Sequence, residues 1–126
     1  HLEDDLLMAN MDARLIIQVL VNLINNAIKY TPENSNISLN ARRVEDKILI
    51  EVQDDGNGVL HPDQLFEMFY TENNRGGDTR RGMGLGLSLC KSIIQSHGGT
   101  IWVENVTPHG ACFKFVLDAV EVKLYE

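Results

Sequence analysis

The feature that most constrains this chain is the stretch from Asp12 to Thr31, DARLIIQVLVNLINNAIKYT, an unbroken helical pattern whose two faces make different demands. At about 100° per residue, Ile16, Ile17, Leu20, Leu23, Ile24, Ala27 and Ile28 share one apolar arc, and Gln18, Asn22, Asn25, Asn26 and Lys29 share a polar one. Asp12 stands where a carboxylate would cap the first turn, and Tyr30-Thr31-Pro32 ends the helix because the residue before Pro is pushed out of the helical region. The apolar arc requires a core to pack against. The polar arc is unusual for a solvated face, which normally mixes Glu, Lys and Arg in i,i+4 pairs. Asn is a middling helix former, so three of them imply either a chance cluster of exposed amides or a helix that spends stability on a site.

A chain of 126 residues with 44% hydrophobic content has room for one domain, residues 1–126, with one core. Its net charge of -7 argues against a duplex nucleic-acid binder, which needs a basic face, so an anionic ligand would have to be held by local donors. No apolar run is long enough to span a membrane and no leader opens the chain; the expectation is a soluble unit, and the start at His1 suggests a fragment of something longer. Cys90 and Cys112 have apolar neighbours and no metal-ligand spacing, which reads as buried free thiols in a reducing compartment.

His1 to Met11 offers a short strand at best. After the turn residues Asn34-Ser35-Asn36, alternation predicts a strand from Ile37 through Arg42 and a partner from Ile48 to Gln53, with the reversal at Val44 to Lys47. The period of two puts Asp54 on the same face as Ile48, Ile50 and Val52, so a carboxylate reaches the core face and must meet a donor there. Gly56-Asn57-Gly58 follows at once and permits a sharp turn with close approach; the alternative is a plain hairpin turn. Pro62 to Tyr70 reads as a short helix anchored by Leu65, Phe66 and Phe69. Thr71 to Gly84 is polar, rich in Gly and Asn, and carries Arg75, Arg80 and Arg81; a loop of this kind inside a small domain is a lid or a tolerated insertion. It leads into Gly82-Met83-Gly84-Leu85-Gly86-Leu87 and a helix from Leu87 to His97, so unpaired N–H groups at a helix start stand ready for phosphate. Strands from Thr100 to Glu104 and Ala111 to Leu117 close the fold. Strands and helices do not alternate, which predicts a two-layer α/β sandwich: a mixed, mostly antiparallel sheet of about five strands against three helices. This inventory suits an adenine nucleotide with a metal, Asp54 accepting from an exocyclic amine while amides and Lys29 face charged oxygens.

Four motifs in order carry a resemblance. Asn22 to Thr31 resembles the N box, Asp54 to Gly58 the first glycine box, Phe66 to Tyr70 the F box and Gly82 to Leu87 the second glycine box of the catalytic and ATP-binding domain of bacterial sensor histidine kinases, within the group that includes gyrase, Hsp90 and MutL ATPases. Gly110 to Phe115 resembles the potassium-responsive KdpD-type sensors of that family. Met68 departs from the family pattern, which often has Pro there. The resemblance implies the Bergerat ATP-binding fold, with ATP and Mg²⁺ as cofactors. It implies that Asp54 binds the adenine amino group beside Gly56 and Gly58, that Asn26 ligates Mg²⁺, that Asn22 and Lys29 contact phosphates, and that these three amide and ammonium groups form the catalytic set. Tyr30 would lie against the base, Phe66 and Phe69 would hinge the lid, and Gly82, Gly84, Leu85, Gly86 and Leu87 would wrap the phosphates, with Arg80 or Arg81 near the γ-phosphate.

Hydrolytic relatives place a Glu near the position of Asn22; an amide cannot take a proton from water, so slow hydrolysis and transfer of the γ-phosphate to a histidine are expected. The acceptor is absent, since His1, His61, His97 and His109 all sit in structural or surface settings. The implied partners are the dimerisation and phosphoacceptor domain of a homodimeric parent and a downstream response regulator, with no nucleic acid; the domain would be cytoplasmic and its parent in the cell membrane. The competing readings are a nucleotide-binding interaction module without phosphotransfer, and a true ATPase, which Asn22 disfavours.

Overall fold

A computed structural model describes residues 12–67 and 86–119, apart from the side chain of Tyr30. Helix α1 spans Ala13–Tyr30 and is followed by β1, Ile37–Val44, and β2, Lys47–Asp54. Helix α2, Gly86–Ser96, then leads to β3, Thr100–Asn105, and β4, Ala111–Asp118. The sheet order is β1-β2-β4-β3 and every pairing in it is antiparallel. Helix α1 forms where expected: Asp12 is extended and its carboxylate accepts the Arg14 N–H at 3.0 Å, and Thr31 before Pro32 returns to extended backbone.

The two central strands set the core. Ile48, Ile50 and Val52 stand directly opposite Leu117, Phe115 and Phe113, so six apolar side chains form one continuous inner face. Onto it pack Ile16, Val19, Leu23 and Ala27 of α1 and Cys90, Ile93 and Ile94 of α2, all buried. Each large side chain so buried contributes roughly 1.5–3 kcal/mol, enough for this layer to fix the position of both helices. Phe66 joins the same core, edge-on to Phe113 with ring centroids 6.2 Å apart.

Four expectations need correction. Ile17 and Ile28 are 59% and 60% exposed, and Val19 is buried instead: α2 packs on the Val19 side, with the Cys90 thiol 3.9 Å from the Val19 carbonyl, and turns the buried arc away from Ile17. Residues 62–67 are turns closed three residues apart, Gln64 to His61 and Glu67 to Gln64, in place of the start of a helix; positions 68–70 lie outside the described residues. The described residues contain four strands and two α-helices, fewer than the five and three expected, and the sheet among them is wholly antiparallel where a mixed one was expected; the short strand expected before Asp12 lies outside them. Finally, α2 begins at Gly86 and ends at Ser96, one residue earlier at each end than the apolar spacing suggested.

His97 follows α2 and acts as a clamp. Its Nδ1–H donates to the Ile93 carbonyl at 2.8 Å, which leaves Nε2 to accept the Asp12 N–H at 3.0 Å. The end of α2 is thereby tied to the start of α1. Both cysteines are free and buried, as expected.

Candidate functional site

Three elements meet where the sequence placed its candidates. Asp54, at the end of β2, is 2% exposed, and its Oδ1 accepts the Gly56 N–H at 3.0 Å and the Ala111 N–H at 3.2 Å. The alternation of β2 delivers it to the inner face, as predicted, and the two backbone donors answer the desolvation of that oxygen. Gly56 then runs against the end of α1: a Cβ there would stand 2.8 Å from Thr31 Cγ2, and Thr31 itself donates to the Ala27 carbonyl at 2.6 Å. Only a glycine lets the two segments come this close, and the contact brings the carboxylate end of β2 to the amide-bearing end of α1.

On α1, Asn22, Asn26 and Lys29 are half-buried and Asn25 is exposed. The Nδ2 of Asn26 is buried and has no hydrogen-bond partner among the described residues. An amide left so costs about 1–3 kcal/mol unless a ligand or water meets it, which marks this side chain as spent on something other than the fold. Asn22 Oδ1 lies 3.8 Å from where a Cβ on Gly86 would be, so the start of α2 abuts the middle of the polar arc. Behind it, the Cys90 thiol is pushed up to about 11 by burial, against a smaller opposing effect of its hydrogen bond with the Asn22 side chain. A thiol in that state is neutral and takes no part in chemistry near neutral pH.

Gly58 has a different duty. Its φ of +80° is left-handed, and a Cβ would stand 2.6 Å from Asn105 Oδ1, so its small size serves a contact with the β3–β4 connection. Sequence reasoning identified residues 105–110 as the loop between the last two strands but not its contact with this turn. Asn105 pairs with both backbone groups of Val59, accepting its N–H at 2.7 Å and donating to its carbonyl at 2.9 Å, and His109 Nδ1–H donates to the Asp55 carbonyl at 2.6 Å. Asp55, unlike Asp54, faces outward: its carboxyl is held below the usual range chiefly by the Asn36 backbone N–H, with the Asn36 amide adding to it. Adjacent acids in one turn thus divide between site and scaffold.

The structure sets Gly56, beside Asp54, against the end of α1 and Gly86 against Asn22, carries Asn26 and Lys29 half-buried on the same helix, and packs Leu87 against the core. Phe69, Arg80, Arg81, Gly82, Gly84 and Leu85, and the side chain of Tyr30, lie outside what is described.

This geometry has relatives. The profile of the histidine kinase-, DNA gyrase B- and HSP90-like ATPases matches residues 11–121. The chain belongs to that family. It is 40% identical over 114 residues to the sensor protein KdpD of Clostridium acetobutylicum, covering 89% of this chain and 13% of that protein. It is 46% identical over 110 residues to the adaptive-response sensory kinase SasA of Crocosphaera subtropica, covering 84% of this chain and 28% of that one. Among solved structures, the nucleotide-free catalytic domain of histidine kinase ThkA superposes with a TM-score of 0.73 at 35% identity, over 86% of this chain and 69% of that one. ThkA in complex with the response regulator protein TrrA gives 0.76 at 32% identity, over 95% of this chain and 33% of that one. The chain therefore has the two-layer α/β fold of histidine kinase catalytic domains, and it spans a minor part of the curated sensor kinases that it matches. No helix among the described residues is long and apolar enough to cross a membrane.

Proposed function

We propose that this domain binds MgATP at the junction of α1, β2 and α2 and donates the γ-phosphate to a histidine on the dimerisation and phosphoacceptor domain of its parent sensor kinase. The observation that carries the reading is Asp54, a carboxylate buried at the core face, gripped by two backbone N–H groups and adjoined by a glycine pressed onto the amide-bearing helix. A carboxylate is acceptor-only, so what it selects is a donor, and the exocyclic amine of adenine is one. Family membership supports ATP as the ligand.

The residues divide the work by chemistry. Asp54 orients the base, which fixes where the phosphates lie; Asn22 and Lys29 meet phosphate oxygens from α1; and the exposed start of α2 at Gly86 offers backbone donors and a favourable dipole. The fit for magnesium rests on Asn26, whose orphaned buried amide presents either an N–H to a phosphate oxygen or, after half a turn, its carbonyl oxygen to a hard cation. No group of three His, Cys, Asp or Glu side chains stands together among the described residues, so an ion held by Asn26 would draw its remaining oxygens from the nucleotide and water. Such an ion, when bound, neutralises charge on the transferring phosphoryl group. Asn22 has no proton-accepting capacity, so water near it stays unactivated and the γ-phosphate is retained until an imidazole attacks. A response regulator then receives the phosphate, a reading supported by the ThkA–TrrA complex, and the parent is a homodimer in the cell membrane with this domain on the cytoplasmic side.

The test mixes this chain with γ-labelled MgATP and a separate phosphoacceptor domain. Acid-labile label on histidine, with little free phosphate, is the expected result. ATP binding without transfer would favour a nucleotide-sensing interaction module, and rapid steady-state phosphate release would favour a true ATPase.

A further inference from the structure

We infer that Asn105 is a positioning residue for nucleotide recognition, holding the glycine turn after β2 so that Asp54 presents its carboxylate in one orientation. The inference rests on the adenine assignment made above and adds the device that makes it selective.

The segment that begins at Asp54 is a poor candidate for rigidity by itself. Gly56 and Gly58 flank Asn57, and glycine loses more conformational freedom on ordering than any other residue. Its order is imposed from the β3–β4 hairpin, at three points. Asn105, the last residue of β3, uses both ends of its amide on Val59, at 2.7 Å and 2.9 Å, as a neighbouring strand would. His109 holds the Asp55 carbonyl, and the Ala111 N–H holds Asp54 Oδ1. Gly58 and Gly110 allow the two loops to touch, since a Cβ on Gly58 would meet Asn105 and one on Gly110 would overlap the Asp54 carbonyl.

The clamp reaches the carboxylate through Gly56. Its N–H fixes Asp54 Oδ1 at 3.0 Å, and it lies between Asp54 and the clamped Val59. With Val59 held, the turn is pinned at both ends and the Gly56 donor stays on the carboxylate. With Val59 released, the two glycines let that donor wander and the carboxylate rotates. Among the described residues Asn105 meets the turn at Gly58 and Val59, on the Asp54 side and away from the Asn22–Lys29 face of α1, so its effect falls on recognition of the base and not on the phosphates.

The experiment measures by calorimetry the affinity of this chain for MgATP and for the magnesium complex of purine riboside triphosphate, which lacks the 6-amino group. Three proteins are compared: wild type, Asn105→Ala and Asn105→Asp. The Asp variant keeps the acceptor for the Val59 N–H and replaces the donor with an oxygen facing the Val59 carbonyl. Wild type should prefer ATP. In Asn105→Ala, ATP affinity should fall about tenfold, the worth of one or two hydrogen bonds of preorganisation. Affinity for the analogue should change little, so the ratio between the two ligands collapses. Asn105→Asp should lie between, and it carries the test if the Ala variant does not fold. A ratio unchanged from wild type, or an equal loss for both ligands, overturns the inference while leaving the adenine assignment intact. Equal affinity of the wild-type chain for both ligands overturns the adenine assignment, and the inference with it.

Discussion

Replacing Asp54 by Asn separates the two jobs of one carboxylate. Its structural job is to accept the Gly56 and Ala111 N–H groups through Oδ1, and an amide oxygen of the same shape keeps both bonds. Bonds to a charged acceptor contribute about 1.5–3 kcal/mol each and neutral ones about 1, so the fold should lose about 1–4 kcal/mol over the two bonds and remain intact. Its recognition job changes sign. An acceptor that met the adenine amine becomes an NH₂ group facing another donor, which removes a charge-assisted bond and leaves two donors unsatisfied. Together these cost about 3 kcal/mol or more, at least a hundredfold in Kd. Thermal melting supplies the assay: ATP at a hundred times its wild-type Kd adds about 2.7 kcal/mol of stability to the wild-type chain, and that gain should fall to about 0.4 kcal/mol or less in Asp54→Asn at the same concentration. Inosine triphosphate, which offers a carbonyl oxygen at the position of the amine, should gain affinity in the variant. An Asp54→Asn chain that still responds to ATP as wild type does would refute the reasoning, because no acceptor for the amine would then be needed.

Further outcomes follow from the same structure. Gly99→Ala should cost more than about 3 kcal/mol, since its Cβ would overlap the Val116 carbonyl and press on Ile94, whereas Gly98→Ala, open on all sides at φ +73°, should cost only about 1–2 kcal/mol of backbone strain; denaturant melts compare them. The Cys90 and Cys112 thiols are pushed up to about 11 and about 12, both chiefly by burial. The unfolded chain ionises its thiols near pH 8.5 and so binds fewer protons above that point; the thiol contribution to stability should be complete below it and decline as pH climbs toward 11 and 12, with Cys112→Val showing the shallower loss. A thiol reagent at about pH 8 should modify neither cysteine in the folded chain and both in denaturant. His97→Ala should loosen the start of α1 by about 1–2 kcal/mol, read as faster amide exchange near Asp12, because the hydrogen bond that joins Asp12 to His97 across 85 residues of sequence is lost together with the Ile93 contact that orients the ring.

What the sequence disclosed and what it withheld have separate physical causes. Alternation along Ile48 to Asp54 is a local property fixed by the backbone, so the inward carboxylate could be read directly, as could the caps of α1 at Asp12 and Thr31. The rotation of α1 about its own axis was not local. A band of Ile, Val and Leu nearly encircles that helix, and the packing of α2 against Val19 decides which of them are buried, leaving Ile17, Val21 and Ile28 outside. Residues 62–67 were misjudged because Leu65 and Phe66 meet the core as readily from turns as from a helix. Asn105 carried no signal at all: an Asn at the end of a strand before a Pro-containing loop reads as turn chemistry, and only the fold sets it beside Val59. Asp55 was not legible in the same way, because it lies past the end of β2, where alternation no longer applies and the Asn36 contacts fix it.

Where the base binds decides the function, and the most direct measurement is a crystal structure of this chain grown with magnesium and a non-hydrolysable ATP analogue. The predicted result places the adenine amine within hydrogen-bonding reach of Asp54 and the phosphates between the Asn22–Lys29 face of α1 and the start of α2. An Asp54 side chain turned to bulk solvent, or a nucleotide seated elsewhere on the chain, would contradict it.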